Sequence, residues 1–380
     1  MGVLKTILKM ILGLAGGVLA GLLIAAVGLV CFTDISFTDF LMKLRSTGFA
    51  ETMMAAGAGI LAFAVATMIL IPLHEAGHLV CGLLTGYKFV SFRVFNFTFI
   101  KIGGRLRVKR YAVEGTGGQC LLTPPDLPLE RIPTGWYNFG GVLANIIAVA
   151  AVVPLLFIKG NPLLSEVTVI FMIAGAFLIL TNGIPMKISG VGNDAYNMIL
   201  LRKNLLSKRG LVDALRANAL IQEGVRPKDM PDEWFDVPVD IDYSDQLQVS
   251  LPMMAASRKV DEIEYAEARE MYEDIYSHKK EIIPLYVSEI ECELVFLRLV
   301  EGDVRGAEEL LTPKLRKYIE TFSKTMSSKE RILCAISLFI DNDRDKALEI
   351  YHGLQSRKDT YLLQGEVKSD LDIMKNILSE

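Results

Sequence analysis

From Thr52 to Tyr87 the chain carries only three acidic, basic or imidazole side chains, and all three fall within His74-Glu75-Ala76-Gly77-His78. A stretch this apolar cannot be a surface helix of a soluble domain. As one α-helix it would be ~54 Å long, against ~30 Å of bilayer hydrocarbon. It must therefore tilt, break or protrude, and Pro72 is the expected breaking point because its ring removes a hydrogen bond from the ladder.

Three further stretches have the length and apolarity of membrane spans: Met10–Phe32, Trp136–Ile158 and Val167–Leu180. The charge splits along the chain. Residues 1–200 hold 14 of the 40 Lys+Arg and 9 of the 44 Asp+Glu, and the remainder is acidic. Lipid is the expected solvent for the first part and water for the second. The segment Lys88–Arg131 has eight Lys/Arg against Glu114, Asp126 and Glu130, and Lys5 and Lys9 precede the first span. Such basic excess marks the cytoplasmic side, so four spans place both termini inside. Lys5 and Lys9 before an apolar run would also suit a signal peptide, but the run exceeds a usual h-region.

Within Lys88–Arg131 the alternation from Phe89 to Ile102, the Gly103-Gly104 break and the basic run from Arg105 predict two strands forming a hairpin. The phenylalanines would pack on the bundle or offer an edge to an unwound substrate strand; packing is the favoured reading. No basic stripe on a folded face points to nucleic acid. The five cysteines lack CxxC pairing, which argues against a disulfide framework.

HExxH sets two imidazoles four residues apart on one helical face, where both can bind one zinc, and leaves the glutamate beside the metal's water as general base. His74 and His78 are the predicted ligands and Glu75 the predicted base. With 4 histidines in the chain, the accidental expectation of this spacing is roughly 0.003. The other reading is a helix whose polar groups hydrogen-bond inside the bundle, which is costly within lipid. A catalytic zinc needs a third protein ligand. Of the acids weighed for this role, Asp34 and Asp39 fall on the opposite side of the membrane and Glu114, Asp126 and Glu130 in the loop, and Asp194 remains. It follows a stretch broken by Gly183, Pro185, Gly190 and Gly192 that could turn back into the bundle, or it simply N-caps a helix starting near Ala195. Cys120 could approach the zinc as an inhibitory thiolate, though an inert buried thiol is the commoner fate.

Over about Met53–Asn197 these motifs resemble the site-2 protease family of intramembrane zinc metalloproteases. His74, Glu75 and His78 match by position, as do Asn182 and Pro185, with Asp194 as ligand. Gly141-Val142-Leu143-Ala144-Asn145 is similar to the family's Gly-Pro-Leu-Ala-Asn element, with Val142 in place of proline, and Ala195 stands where a glycine follows the ligand. The resemblance implies one Zn2+ per chain and cleavage of transmembrane proteins or membrane-bound peptide precursors. It also implies Asn145 and Asn182 near the site, either polarising a substrate carbonyl or bonding between helices, and it suits a bacterial plasma membrane.

Beyond an acidic, proline-bearing connector, Ala268–Tyr272, Ala307–Leu311 and Ala347–Tyr351 recur at offsets of 39 and 40, each with an acid four residues earlier: Glu264, Asp303 and Asp343. The pattern resembles tetratricopeptide-like stacked helix pairs and suggests a cytosolic partner or a packed appendage. The sequence thus predicts a polytopic α-helical membrane protein with about four spans and a β-hairpin-containing cytoplasmic loop, joined to a soluble all-α helical-repeat domain. The expected divisions are a protease core over 1–200, a connector over 201–245 and helical repeats over 246–380. The competing expectation is an inactive metal-binding scaffold that recruits a partner through those repeats.

Overall fold

The computed structural model describes residues 38, 39, 42, 48–102, 105–110, 117–188 and 190–379. The span expected at Met10–Phe32 lies outside the described residues. The fold is mostly helical with a small sheet, and three helical stretches are long and apolar enough to cross a membrane: Met53–Leu84, Leu129–Phe157 and Pro162–Gly183. The described chain forms two compact units, one from the residues up to Leu73 with Asn145–Leu180, the other from His74–Ala144 with the residues from Thr181 on.

Helix α1 runs unbroken over Phe49–Leu84 with Pro72 inside it, so the expected break is absent. The ring deletes only the hydrogen bond to the Met68 carbonyl one turn back, and the rest of the ladder holds. In the first unit Ala66, Leu70 and Ala174 form a small core with Phe63, Ala148, Phe171 and Leu178. A Cβ on Gly175 would meet Val149 Cγ2 at 2.2 Å, so glycine there permits close approach of α2 (Thr134–Val152) to α3 (Pro162–Gly183). The outward side chains Ile60, Leu61, Phe157 and Leu163 are exposed on these long apolar helices.

The second unit opens with a four-stranded antiparallel sheet in the order β3-β2-β1-β4: β1 Lys88–Val94, β2 Phe97–Ile102, β3 Arg105–Arg110 and β4 Gly118–Thr123. The single strand expected from Phe89 to Ile102 is two. Val94 pairs with Phe97 across a two-residue turn, with Phe95 at φ 53. A positive φ at the first turn residue fits the twist of a tight hairpin, and alternation alone does not register such a reversal. Tyr87, Cys120, Leu122, Ile132 and Val212 form the core beneath the sheet.

Val212 belongs to α5 (Leu205–Glu223), which lies in the expected connector and packs on β4, on α6 (Gln246–Asp261) and on α13 (Gln364–Ser379). Lys208 Nζ donates to the Glu130 carbonyl at 3.1 Å. The stretch 201–245 therefore contains a packed helix. Between α6 and α13 the chain forms α7 (Tyr265–Ser277), α8 (Pro284–Val300), α9 (Val304–Leu310), α10 (Pro313–Phe322), α11 (Ser327–Phe339) and α12 (Arg344–Arg357). Ala268, Ala307 and Ala347 are fully buried near the starts of α7, α9 and α12. Asp303 and Asp343 cap two of these helices, accepting from Gly306 N and Lys346 N, whereas Glu264 makes no capping bond.

Candidate metal centre

His74 and His78 sit on one face of α1, as their spacing requires. Asp194 is the first residue of α4 (Asp194–Lys203), but it does not cap that helix. The cap is Asn193, whose Oδ1 accepts from Tyr196 N at 2.9 Å and from Met186 N at 3.2 Å. Its Nδ2 donates to the carbonyls of Thr181 and Ile184 at 2.7 and 2.6 Å. One amide thus ties the end of α3, the loop and the start of α4 together, and Asp194 is left to face the imidazoles. The intervening β5 (Lys187–Ile188) and β6 (Val191–Gly192) pair as a short ribbon closed by Gly190 at φ +88.

His74 Nε2 lies 3.1 Å from His78 Nε2, 3.0 Å from Asp194 Oδ2, and His78 Nε2 lies 3.4 Å from the same oxygen. Four-coordinate zinc with bonds of ~2.0–2.1 Å holds its donors ~3.3 Å apart. The triangle therefore has the edge lengths of one face of a zinc tetrahedron, from the donor types zinc prefers. His78 Nδ1 donates to the Tyr137 carbonyl at 2.7 Å, which leaves Nε2 of the neutral ring with its lone pair toward the triangle. Burial alone would raise the Asp194 carboxyl, but the two imidazoles beside it outweigh burial and hold it at about 2.

Glycines make the room. A Cβ on Gly141 would lie 2.4 Å from His74 Nε2 and 2.5 Å from His78 Nε2. Gly77 and Gly140 bring α1 and α2 into backbone contact, since a Cβ on Gly77 would meet the Gly140 oxygen at 2.1 Å. Glu75 packs against Gly118 at the start of β4, where a Cβ would come 2.5 Å from its Cγ. Asp194 and Arg93 lie close enough for their charges to act on Glu75. Arg93 is buried on β1 and donates to the carbonyls of Phe95 and Gly118 at 3.1 and 3.2 Å.

Of the predicted site residues, His74, His78 and Asp194 converge as a group able to hold a metal ion. Cys120 is not part of that group. It faces the core beneath the sheet, and burial, with the Glu75 charge adding, pushes its thiol up to about 12. Asn182 is half-buried in the last turn of α3, and Asn145 is fully buried in the first unit. The sequence reading missed Tyr137, Asn193, Gly118 and Arg93. Asn193 had a visible signal, an Asx residue just before a helical run; the Tyr137 contribution is a main-chain carbonyl and leaves none. No family model, curated protein or solved structure matches the chain.

Proposed function

We propose that the chain is an intramembrane zinc metalloprotease of the site-2 kind, which hydrolyses peptide bonds in or near transmembrane segments of membrane-bound substrates. The observation that carries this reading is the triangle of two imidazoles from one helix and a carboxylate from another about 120 residues later, at zinc-ligand separations, with Glu75 between the two histidines. Zinc bound there supplies the positive charge that acidifies a water and polarises a peptide carbonyl. His78 is held in one tautomer by Tyr137 and Asp194 in place by Asn193. Glu75 takes the proton from the attacking water and hands it to the leaving amide nitrogen, and Arg93 offsets the Glu75 charge. A substrate helix shields its own carbonyls, so it must unwind before attack, and helix-breaking residues are expected at the cleavage point.

In this reading the three described spans and Met10–Phe32 make four, the sheet and both termini face the cytoplasm, and the helices beyond Asp245 form a tetratricopeptide-like array that engages a cytosolic partner. Substrate trapping tests the catalytic claim. Glu75→Gln in native membranes is expected to keep its metal, lose cleavage and enrich membrane-bound chains that the wild type cuts. A metal-loaded wild type that cuts nothing the variant captures would favour the inactive scaffold instead.

A further inference from the structure

The β2–β3 hairpin has two unlike faces. The register pairs Phe97 with Arg110, Phe99 with Val108 and Lys101 with Leu106, so these six share one face. On the other face Ser91, Arg93, Thr98 and Ile100 are buried and Lys109 Nζ donates to the Tyr361 carbonyl at 2.7 Å, so much of that side is covered by the protein itself, with Arg105 and Arg107 left exposed on β3. The first face is open: Leu106 is 63% exposed, Val108 58% and Phe97 46%. Lys101 and Arg110 bound this apolar stripe at its two ends, and Arg110 stacks toward the Phe97 ring at 6.0 Å. Strands β1–β3 contain seven basic residues and no acidic one. Three residues separate β1 from the end of α1 at Leu84, and the chain enters its next candidate span at Leu129.

We infer that this face lies on the bilayer, with Phe97, Leu106 and Val108 among the upper acyl chains and Lys101 and Arg110 on anionic phospholipid headgroups. The inference rests on the membrane-spanning reading of α1. Tethering so close to a span holds the hairpin at the membrane surface, where an apolar stripe flanked by cations matches an anionic lipid interface in both polarity and charge. The depth is limited by β3. It is an edge strand, and its free N–H and C=O groups need water or headgroups, so the strand cannot sink into hydrocarbon. Lipid contact there would also fix the height of β1 and β4, which carry Arg93 and Gly118 beside Glu75.

Quenching by brominated lipid tests this in the full chain, reconstituted in vesicles after Trp136→Phe and Trp234→Phe remove the native tryptophans. Single tryptophans then go in as Leu106→Trp and Val108→Trp, with Arg107→Trp as an exposed reference on the opposite face and Ile60→Trp as a reference within α1. The expected result is blue-shifted, strongly quenched emission at 106, 108 and 60, and water-like, unquenched emission at 107. Adding Lys101→Glu and Arg110→Glu is expected to reduce quenching at 106 in phosphatidylglycerol vesicles while leaving the value at 60 unchanged. Quenching at 60 with none at 106 and 108 would overturn the inference. A blue shift there without lipid quenching would also overturn it, because a second copy or a bound strand then covers the face. No quenching at 60 would instead remove the spanning reading, and the inference with it.

Discussion

His78 Nδ1 hydrogen-bonds the main-chain carbonyl of Tyr137 at 2.7 Å, while the Tyr137 hydroxyl donates to the Cys120 carbonyl at the same distance. The backbone of Tyr137 therefore orients a metal ligand and its side chain braces β4, and the two roles are separable. Tyr137→Phe is expected to keep full zinc content and to lose about 1 kcal/mol of stability from the missing hydroxyl bond. Metal analysis beside a thermal melt checks this. Loss of zinc in that variant would mean the hydroxyl, not the carbonyl, sets the site.

Gly141 is the position at which a single methyl group does most harm to the site. The added Cβ would collide with both imidazole Nε2 atoms. Gly141→Ala should weaken zinc binding by about 10- to 100-fold, the scale on which misorienting a ligand acts. Helical content should survive because alanine is the better helix former. Circular dichroism and a competitive zinc titration on the same sample give the two readouts.

The three acids that precede the recurring alanines are predicted to differ. Asp303→Ala and Asp343→Ala each remove a capping bond of 2.9 Å and should cost about 1 kcal/mol. Glu264 makes no capping bond and forms an exposed ion pair with Lys259 at 3.1 Å, so Glu264→Ala should cost a few tenths of a kcal/mol at most. Equal losses in all three would contradict the capping assignment. Denaturant midpoints of the three variants decide it.

Glu366 gives the second unit a pH signature. Burial, with Asp370, Glu293 and Glu289 nearby, raises its carboxyl from 4.5 to about 8. The folded chain then keeps a proton that the unfolded chain has released, so stability is greatest below the unfolded value and falls as pH climbs toward 8. Glu366→Gln should flatten that decline and stabilise the protein above about pH 8. Unfolding midpoints at several pH values measure it, and a variant with the wild-type slope would exclude Glu366 as its source.

Much of this architecture was readable because it rests on local patterns. Apolar length announced three helices long enough to cross a membrane, i,i+4 spacing put both histidines on one face of α1, and position along the chain pointed to Asp194. Other features depend on tertiary context. Pro72 looked like a break, yet the helix continues, since the cost of one lost hydrogen bond is set by surroundings the sequence does not display. Phe95-Asn96 hides a reversal inside a uniform phenylalanine alternation. The capping of α4 by Asn193 rather than Asp194 turns on a shift of one residue, which helix propensity does not resolve. Val212, within the expected connector 201–245, completes the core under the sheet.

The central claim is that His74, His78 and Asp194 hold one divalent ion, and elemental analysis of protein purified without chelators tests it most directly. Wild type and Glu75→Gln are each expected to carry one zinc per chain, and His74→Ala and Asp194→Ala to carry little or none while staying folded. Wild-type protein that is metal-free and takes up no zinc on titration, or an Asp194→Ala variant that keeps a full equivalent, would contradict it.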